Sequence, residues 1–450
     1  MFRKVKEWKV EGYYLYKVRP VQNHIISIFL VVICTFSLNA QWVDHFENPC
    51  GLNDWMDLQQ TEGWNIQCME SHDISLTHPG EFTMMPYTVT WYEDRRGPLF
   101  YKLVQGSFVL TSTIQVSNRL ENAIPGSAFS LGGLMIRNPK TLTNGAAGWQ
   151  PGHENYIFLS IGRGSTGHPS CPGCPAPHFE VKSTTNSVSD LNLTAINFTT
   201  ADIRLIRLGA AIFVLYRFPN QAWVVHRRYS RPDLSDTLQA GMVTYTDWDK
   251  ASTYQTTFHN SHVMNASLNP DPSSNPSLPF APNITSRYSF LQMLPTSLPP
   301  SWSGLNLMDV NQVTDAMILS QYGSIIQIPS PSTYPVWLGR TNSNWNTMSN
   351  WLSGALPNAT DSIRVSPCNC TMTNCMMLPV GNTIISGMTI VEGATITVPA
   401  GATLTIHGHL TNHGHIDVYG NLFTDGEPQK YVHNYGTIDC KPGGQMIVHP

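Results

Sequence analysis

The segment SFVLTSTIQVSN, residues 107–118, alternates apolar and polar residues and places Phe108, Leu110, Ile114 and Val116 on one side of an extended chain. A period of two is typical of a strand with one buried face. Similar segments follow at short intervals, separated by turn residues, with no long helical pattern between them. Together they predict an antiparallel β-sandwich. They are NYIFLSIGRG (155–164), HFEVKST (178–184), IRLIRLG (203–209), AIFVLYRF (211–218) and AWVVHRRY (222–229).

Length and composition limit the classes of protein to which this chain can belong. The chain has 450 residues, which is too many for one core and predicts two or three domains. Its net charge is -4 with only 12% charged residues, so the composition carries no electrostatic signature of nucleic-acid or anionic-membrane binding. The 33 glycines and 32 prolines favour short strands joined by turns.

The N-terminal segment 1–40 has the features of a secretory signal peptide. An apolar run (25–38) follows a stretch rich in lysine and arginine, and Ala40 ends a small-residue cleavage site. The run is too short to span a bilayer, and no later run approaches that length. We therefore predict an exported protein, extracellular or at the cell surface, with no integral membrane segment in the mature chain. A periplasmic location stays open.

The cysteines of an exported chain predict disulfides. The nearest local pairs are Cys50 with Cys68 and Cys171 with Cys174, while the remaining four allow three connectivities. CPGCPAPH (171–178) is also compatible with the first half of a zinc site, although no second half follows nearby. The eight candidates are Cys50, Cys68, Cys171, Cys174, Cys368, Cys370, Cys375 and Cys440.

The strand segments, in their order along the chain, carry a family resemblance. DHFENP, SLGGLMIRNP, ENYIFLSIGRG, HFEVKS, IRLIRLG, FVLYRFPNQAWVVHR and LQAGMVTYTDW resemble the concanavalin A-like lectin/glucanase superfamily, chiefly its secreted, laminin-G-like members of unassigned function. The resemblance implies a jelly-roll sandwich over residues 41–323, with a Pro/Ser/Asn-rich insert near 266–282. It also implies that NITSRYSFLQMLPTSLP is the last strand, beside the first, and that VNQVTDAMILSQYG (310–323) contains a short helix. The fold hosts lectins, enzymes and adhesion modules, so it does not define an activity.

The acidic residues argue against a retaining glucanase. Laminarinase-like members of the superfamily carry a Glu-x-Asp-x-x-Glu strand, which presents two carboxylates about 5 Å apart. This chain has no such motif between residues 100 and 230, and Asp247 and Asp249 have the spacing without the rest of the motif. Glu154 and Glu180 lie on neighbouring predicted strands, so a different hydrolase or lyase stays open.

Aromatic and planar polar side chains on the predicted strands form a candidate sugar-binding face, because sugar rings offer apolar faces with a fringe of hydroxyls. The alternative is that the aromatic residues belong to the core and the arginines to solvated edges. The candidates are Arg137, Tyr156, Glu180, Arg204, Arg217 and Trp223.

The C-terminal part is a repeat. TNHGHIDV (411–418) recurs as HNYGTIDC (433–440), which predicts the coils of a parallel β-solenoid with Asn and Gly at corners that need positive φ. VWLGRTNSNWNTMSNWLSGALPNATDSIRV (336–365) resembles the opening of a solenoid module of bacterial cell-surface proteins, in which tryptophans cap the first coil. We therefore predict a linker at 324–335 and a small Trp-capped solenoid at 336–450.

The stretch HGHLTNHGH (407–415) contains four histidines that fit either of two interpretations. Inward positions at Leu404, Ile406, Ile416 and Val418 leave the histidines on the outer surface, where they need no function. Imidazoles two residues apart are also close enough to share a metal ion. We favour a solvated polar face and predict no metal site at His407, His409, His413 and His415.

From the sequence we predict an all-β, secreted, non-enzymatic carbohydrate- or surface-binding protein of the lectin or adhesin kind. A carbohydrate-active enzyme, with acids on separate strands, and a structural envelope spacer are the alternatives. The expected partner is a polysaccharide or cell-surface glycan and not nucleic acid, and no cofactor is predicted.

Overall fold

The computed structural model describes residues 41–140, 142, 145–265, 280–323, 334–368, 373–425 and 432–449. The predicted signal peptide, most of the Pro/Ser/Asn-rich insert and most of the linker lie outside these residues. The predicted fold class is confirmed: an antiparallel β-sandwich precedes a parallel β-solenoid. No helix in the described ranges is long and apolar enough to cross a bilayer.

The sandwich consists of two antiparallel sheets with short helices in its connections. Its strands are β1 (Trp42–Asp44), β2 (Met56–Asp57), β3 (Met69–Ile74), β4 (Phe82–Pro86), β5 (Leu99–Gln105), β6 (Phe108–Ser117), β7 (Ser130–Arg137), β8 (Tyr156–Arg163), β9 (His178–Thr185), β10 (Val188–Ala195), β11 (Thr200–Leu208), β12 (Ala211–Arg217), β13 (Val224–Ser230), β14 (Thr237–Tyr245) and β15 (Thr285–Pro295). Its helices are α1 (Leu58–Thr61), α2 (Trp248–Ala251), α3 (Thr256–Ser261) and α4 (Asp315–Tyr322), with 3-10 turns at Pro49–Asp54, Gly145–Ala147 and Pro300–Trp302.

Strand order places β6 and β15 at the centre of one sheet and β7 and β14 near the centre of the other. The eight-stranded sheet runs β13-β12-β11-β6-β15-β4-β3, with β1 paired to β15, and the seven-stranded sheet runs β10-β9-β8-β7-β14-β5-β2. Phe108, Leu110, Ile114 and Val116 all belong to the core between the sheets, as their alternation predicts. The pairing of β15 with β1 and the helix α4 confirm the two elements expected at the end of the sandwich.

The solenoid has three faces, each a parallel sheet that gains one strand per coil. The sheets run β16-β17-β20-β23-β26, β18-β21-β24-β27 and β19-β22-β25-β28. The strands are β16 (Val336–Trp337), β17 (Ser362–Val365), β18 (Met376–Met377), β19 (Gly381–Ile385), β20 (Gly387–Ile390), β21 (Thr395–Val398), β22 (Ala402–Ile406), β23 (Leu410–Asn412), β24 (His415–Val418), β25 (Asn421–Asp425), β26 (Val432–Asn434), β27 (Thr437–Cys440) and β28 (Gln445–His449), with a 3-10 turn at Met348–Asn350.

The predicted repeat is confirmed, because its equivalent residues pair in register. Its glycines, however, are required for a different reason from the one predicted. Asn412 pairs with Asn434 and donates its Nδ2 to the Asn434 Oδ1 at 2.7 Å, which forms a ladder at the corner. Gly414 and Gly436 do not have positive φ. A Cβ on Gly436 would instead lie 2.0 Å from the Gly414 carbonyl oxygen, so glycine is required by the close stacking of successive coils.

Three tryptophans close the first coil of the solenoid. Trp337, Trp345 and Trp351 are buried in the solenoid core, and the ring of Trp351 lies edge-on to the other two at 5.3 and 4.8 Å. The Trp351 indole also donates to the Trp345 carbonyl oxygen at 2.9 Å. This arrangement confirms the predicted cap, which prevents exposure of the apolar interior of the coil.

The cap of the solenoid packs against the sandwich. Arg340 donates its Nε to the Leu76 carbonyl oxygen at 2.6 Å, which ties the two parts together. A cleft of about 720 Å³ lies between the two parts, with Glu81 and Phe290 on the sandwich side and Leu352 and Leu356 on the cap side.

Two disulfides join predicted candidate cysteines, and one predicted disulfide does not form. Cys171–Cys174 is a disulfide, which also replaces the zinc interpretation of CPGCPAPH, and Cys368–Cys375 is a second one. The predicted Cys50–Cys68 bond is wrong: Cys50 is disulfide-bonded, but the Cys68 thiol is free and buried.

The error arises because the two side chains face different parts of the molecule. The Cys50 Sγ lies 3.7 Å from the Pro367 carbonyl oxygen in the solenoid, whereas Cys68 lies in an apolar cluster of the sandwich. Burial raises the pKa of the Cys68 thiol to about 12, so it stays protonated and unreactive. Cys440, also among the eight candidates, is a free exposed thiol.

Candidate functional site

The outer face of the seven-stranded sheet is covered by two segments, residues 58–68 and 87–98, which we call the covering chain. Leu134 faces the core between the sheets, and the next residue, Met135, packs outside with Leu58, Val89 and Trp91 of the covering chain. This second layer decides which side chains of the sheet are enclosed and which line an opening.

One enclosed group is an ion network around Arg137. Its guanidinium bonds to both carboxylate oxygens of Glu154 at 2.8 and 2.9 Å, to Glu62 at 2.6 Å and to Gln239 at 2.7 Å. Arg96 forms a second ion pair with Glu62. Burial alone would raise the pKa of Glu154, but the Arg137 charge outweighs burial and lowers that pKa to about 2. The network holds the covering chain on the sheet.

A second polar group lies farther along the same face, at Lys182, Glu180 and Tyr245. Lys182 Nζ is 3.0 Å from Glu180 Oε1 and donates to the Trp91 carbonyl oxygen at 2.5 Å. The Tyr245 hydroxyl donates to the same Glu180 oxygen at 2.6 Å, and Glu180 Oε2 is buried with no hydrogen-bond partner among the described residues. Burial lowers the pKa of Lys182, and the ion pair with Glu180 opposes that effect.

Lys182 lines a cavity of about 190 Å³ that we call the aromatic pocket. The rings of Tyr92 and Trp248 meet edge-to-face at 5.1 Å, and Phe129 lies 6.2 Å from Trp248 in the same arrangement. His168 lies edge-on to Phe129 at 6.4 Å and completes this part of the wall. The aromatic pocket is lined by Thr90, Tyr92, Phe129, His168, Lys182, Leu191 and Trp248.

Strained backbone positions set the walls of the aromatic pocket. Ten non-glycine residues in the described ranges have left-handed φ, and three of them are Glu93 beside Tyr92 (52°), Phe129 (49°) and Asp247 before Trp248 (66°). Each such residue costs on the order of 1–3 kcal/mol, and strain of this kind accumulates at functional sites. Asp247 is held by hydrogen bonds from the Thr88 hydroxyl and the Ala281 amide, at 2.6 and 2.7 Å.

The helix α3 holds another wall through two buried side chains. The Thr90 amide donates to His259 Nε2 at 3.1 Å, so the neutral ring carries its proton on Nδ1, 2.9 Å from Asn260 Oδ1. Asn260 also accepts from the Arg96 amide and donates to the Asp94 carbonyl oxygen. These bonds fix residues 90–96, which include Tyr92.

Protonation of His259 should loosen this wall. Burial lowers the pKa of His259 to about 4, against about 6.5 in the unfolded chain. The unfolded chain therefore binds a proton between pH 6.5 and 4 that the folded chain does not, and stability falls as pH falls through that window, by roughly 3 kcal/mol from this group. The variant His259→Gln retains an acceptor but does not titrate. We expect its free energy of unfolding to depend less steeply on pH than that of the wild type, by the equivalent of about one bound proton. Equal slopes for the variant and the wild type would contradict this assignment.

The six residues predicted to form one binding face do not lie on one face. Arg137, Tyr156 and Glu180 lie on the outer face of the seven-stranded sheet, and all three are fully buried beneath the covering chain. Of these, Glu180 contacts a residue of the aromatic pocket, through its ion pair with Lys182.

The other three lie on the opposite side of the sandwich. Arg204 and Arg217 stack on the Trp223 ring at 4.0 and 4.9 Å. The C-terminal segment with α4 covers Arg204 and Trp223, and Arg204 donates to the Tyr322 carbonyl oxygen. Trp223 is therefore buried, as the core alternative expects, whereas Arg204 is buried rather than at a solvated edge.

The two acids considered for hydrolysis are both enclosed. Glu154 is bound by Arg137, and Glu180 is bound by Lys182 and Tyr245. Both side chains are 0% exposed, and neither lines the aromatic pocket. The positions of these two acids therefore do not match the open pair of carboxylates that glycosidases use.

Sequence patterns did not identify the residues of the aromatic pocket. Tyr92, Phe129, His168 and Trp248 come from four connections between strands, where periodicity carries no information. The available signal was composition: WYEDRR (91–96) and TDWDK (246–250) place aromatic residues beside charged ones in connections between strands.

The histidines of HGHLTNHGH lie on the outer surface of the solenoid, as predicted. Leu404, Ile406, Ile416 and Val418 fill the interior, whereas His407, His409 and His413 are exposed and His415 is half-buried. His413 stacks on Tyr435 one coil later at 4.8 Å, and His415 bonds to Asp417 at 3.2 Å. Throughout the described ranges, no three His, Cys, Asp or Glu side chains are arranged to hold a metal ion.

Comparison with known proteins gives distant structural likenesses. No family model and no curated protein sequence matches the chain. A functionally unknown protein from Saccharomyces cerevisiae is 12% identical with a TM-score of 0.35, over 54% of this chain and 98% of that one. The basic winged bean lectin with Tn-antigen is 12% identical with a TM-score of 0.31, over 56% of this chain and 98% of that one.

The GH43 protein BlXynB from Bacillus licheniformis is 7% identical with a TM-score of 0.33. The match covers 56% of this chain but only 39% of that protein, so this chain spans about two fifths of its length. Likenesses this distant carry no argument about activity, and the concanavalin A-like assignment stays a prediction.

Proposed function

We propose that this protein is a secreted carbohydrate-binding protein and that the aromatic pocket is its binding site. The observation that carries the proposal is a cavity walled by three aromatic rings with a polar group, Lys182, among its lining residues. Sugar rings bind to such surfaces because their C–H faces pack on aromatic rings while their hydroxyls need hydrogen-bonding partners.

Two further observations support the proposal. The backbone strain at Glu93, Phe129 and Asp247 is placed around the aromatic pocket. The enclosure of Glu154 and Glu180 favours binding over hydrolysis. The disulfides Cys171–Cys174 and Cys368–Cys375 support export, because such bonds persist outside the reducing cytosol.

A glycan array tests the proposal. We expect the purified chain to bind a set of glycans, and Trp248→Ala to weaken that binding about tenfold or more, because losing one stacking ring costs roughly 1.5 kcal/mol. The matched control is Trp149→Ala, which removes another half-buried tryptophan that does not line the aromatic pocket. Unchanged binding by Trp248→Ala, or an equal loss in both variants, would contradict the assignment of the site.

A reducing-sugar assay on the bound glycans separates binding from hydrolysis. We expect no release of reducing ends by the wild type. Release that is abolished by Glu180→Gln would instead establish the carbohydrate-active enzyme.

A further inference from the structure

The size of the aromatic pocket restricts how much of a glycan enters it. Its volume of about 190 Å³ corresponds to on the order of six water molecules at roughly 30 Å³ each. That space is comparable to one sugar ring and below the usual range for drug-sized ligands. The volume therefore limits the occupant to about one sugar ring.

The polar groups that reach the aromatic pocket are mainly hydrogen-bond donors. Lys182 has three N–H groups, of which two bond to the Trp91 carbonyl oxygen and to Glu180, and the third remains for the cavity that Lys182 lines. His168 Nδ1 accepts from the Ser170 amide at 3.2 Å, so the neutral ring carries its proton on Nε2 and donates there.

Basic groups lie in and beside the aromatic pocket, and the nearby acids Glu180 and Glu93 lie outside its lining. None of its seven lining residues is an acid. The Arg95 guanidinium lies 5.7 Å from the centre of the Trp248 ring and donates to the Ser252 and Tyr254 carbonyl oxygens, which leave its charge in place. Glu93 on the same wall is exposed, and burial together with the Glu93 charge raises the pKa of Tyr92.

We infer that the ring bound in the aromatic pocket is an acidic sugar, a uronic or sialic acid, whose carboxylate is received by Lys182 and His168. This inference rests on the proposed function and specifies its ligand class. A carboxylate accepts several hydrogen bonds and donates none, so it complements two donors in a site without acids. Lys182 keeps its ion pair with Glu180 at 3.0 Å, and the aromatic walls contact the faces of the sugar ring.

Calorimetric titration of the full chain with matched methyl glycosides tests the inference. The acidic probes are methyl glucuronide, methyl galacturonide and a methyl sialoside, and the neutral probes are methyl glucoside and methyl galactoside. We expect at least one acidic probe to bind about tenfold more tightly than the neutral probes. We expect His168→Phe, which keeps an aromatic ring but removes the donor, to reduce that preference to less than about threefold.

Lys182→Met alone leaves Glu180 buried without its cation, so the double variant Lys182→Met/Glu180→Gln is the informative one. It should lose the preference for acidic probes, so that its affinities for acidic and neutral probes differ by less than about threefold. Equal affinity for acidic and neutral probes would overturn this inference and leave the proposed function intact. Failure of every glycan to bind, on the array and in titration, would overturn both.

Discussion

Replacing Arg137 by methionine should lower the free energy of unfolding by about 3–5 kcal/mol, the largest effect expected for a single substitution in the sandwich. The change removes the cation from a fully buried site and leaves Glu154 and Glu62 as buried carboxylates without their shared partner. Desolvation of those carboxylates is no longer compensated, and the covering chain loses its attachment to the sheet. Scanning calorimetry of the purified variant measures the effect.

Arg217→Met is the matched control for this prediction. Arg217 pairs with Asp202 at 2.8 Å, but both side chains are partly exposed, so its removal should cost less than about 1 kcal/mol. Similar losses for the two variants would mean that the Arg137 network does not hold the covering chain in place.

The second large effect is expected at the cap of the solenoid. Trp351→Ala should destabilise the solenoid by about 3–5 kcal/mol, because it opens a cavity between Trp337 and Trp345 and exposes the first coil. The substitution also removes the hydrogen bond from the Trp351 indole to Trp345. Loss of protection from hydrogen exchange should concentrate in β16 and β17, which carry the first coil beneath the cap.

Met348→Ala is the control within the cap itself. Met348 is 59% exposed, so its truncation should change stability by no more than about 0.5 kcal/mol. Uniform loss of protection along all three faces in Trp351→Ala would indicate that the solenoid unfolds as one unit, without a separate role for the cap.

The fold was predictable because burial on one side of a strand leaves a period of two in the sequence. The segment 107–118 shows this most clearly, since its apolar residues all enter one core. The solenoid was predictable for a related reason: successive coils repeat the same positions, so Asn412 and Asn434 hold equivalent places in the two copies of the repeat and pair in space.

The candidate site was not predictable in the same way, because alternation separates two faces of a strand but does not reveal what covers the outer one. Tyr156 and Trp223 are aromatic residues on outer faces, yet one lies beneath the covering chain and the other beneath the segment with α4. The walls of the aromatic pocket come from segments far apart in the chain, such as those of Tyr92 and Trp248, which only the tertiary fold brings together. Nearness in sequence did not predict the disulfide partner of Cys50 either, because the tertiary fold places Cys50 against the solenoid and Cys68 inside the sandwich.

A crystal structure of the chain with the tightest glycan from the array tests the central claim most directly. We expect one sugar ring inside the aromatic pocket, in contact with Tyr92, Trp248 and Lys182, and the remainder of the glycan outside. A ring bound elsewhere, such as in the cleft between the sandwich and the solenoid cap, with the aromatic pocket empty, would contradict it.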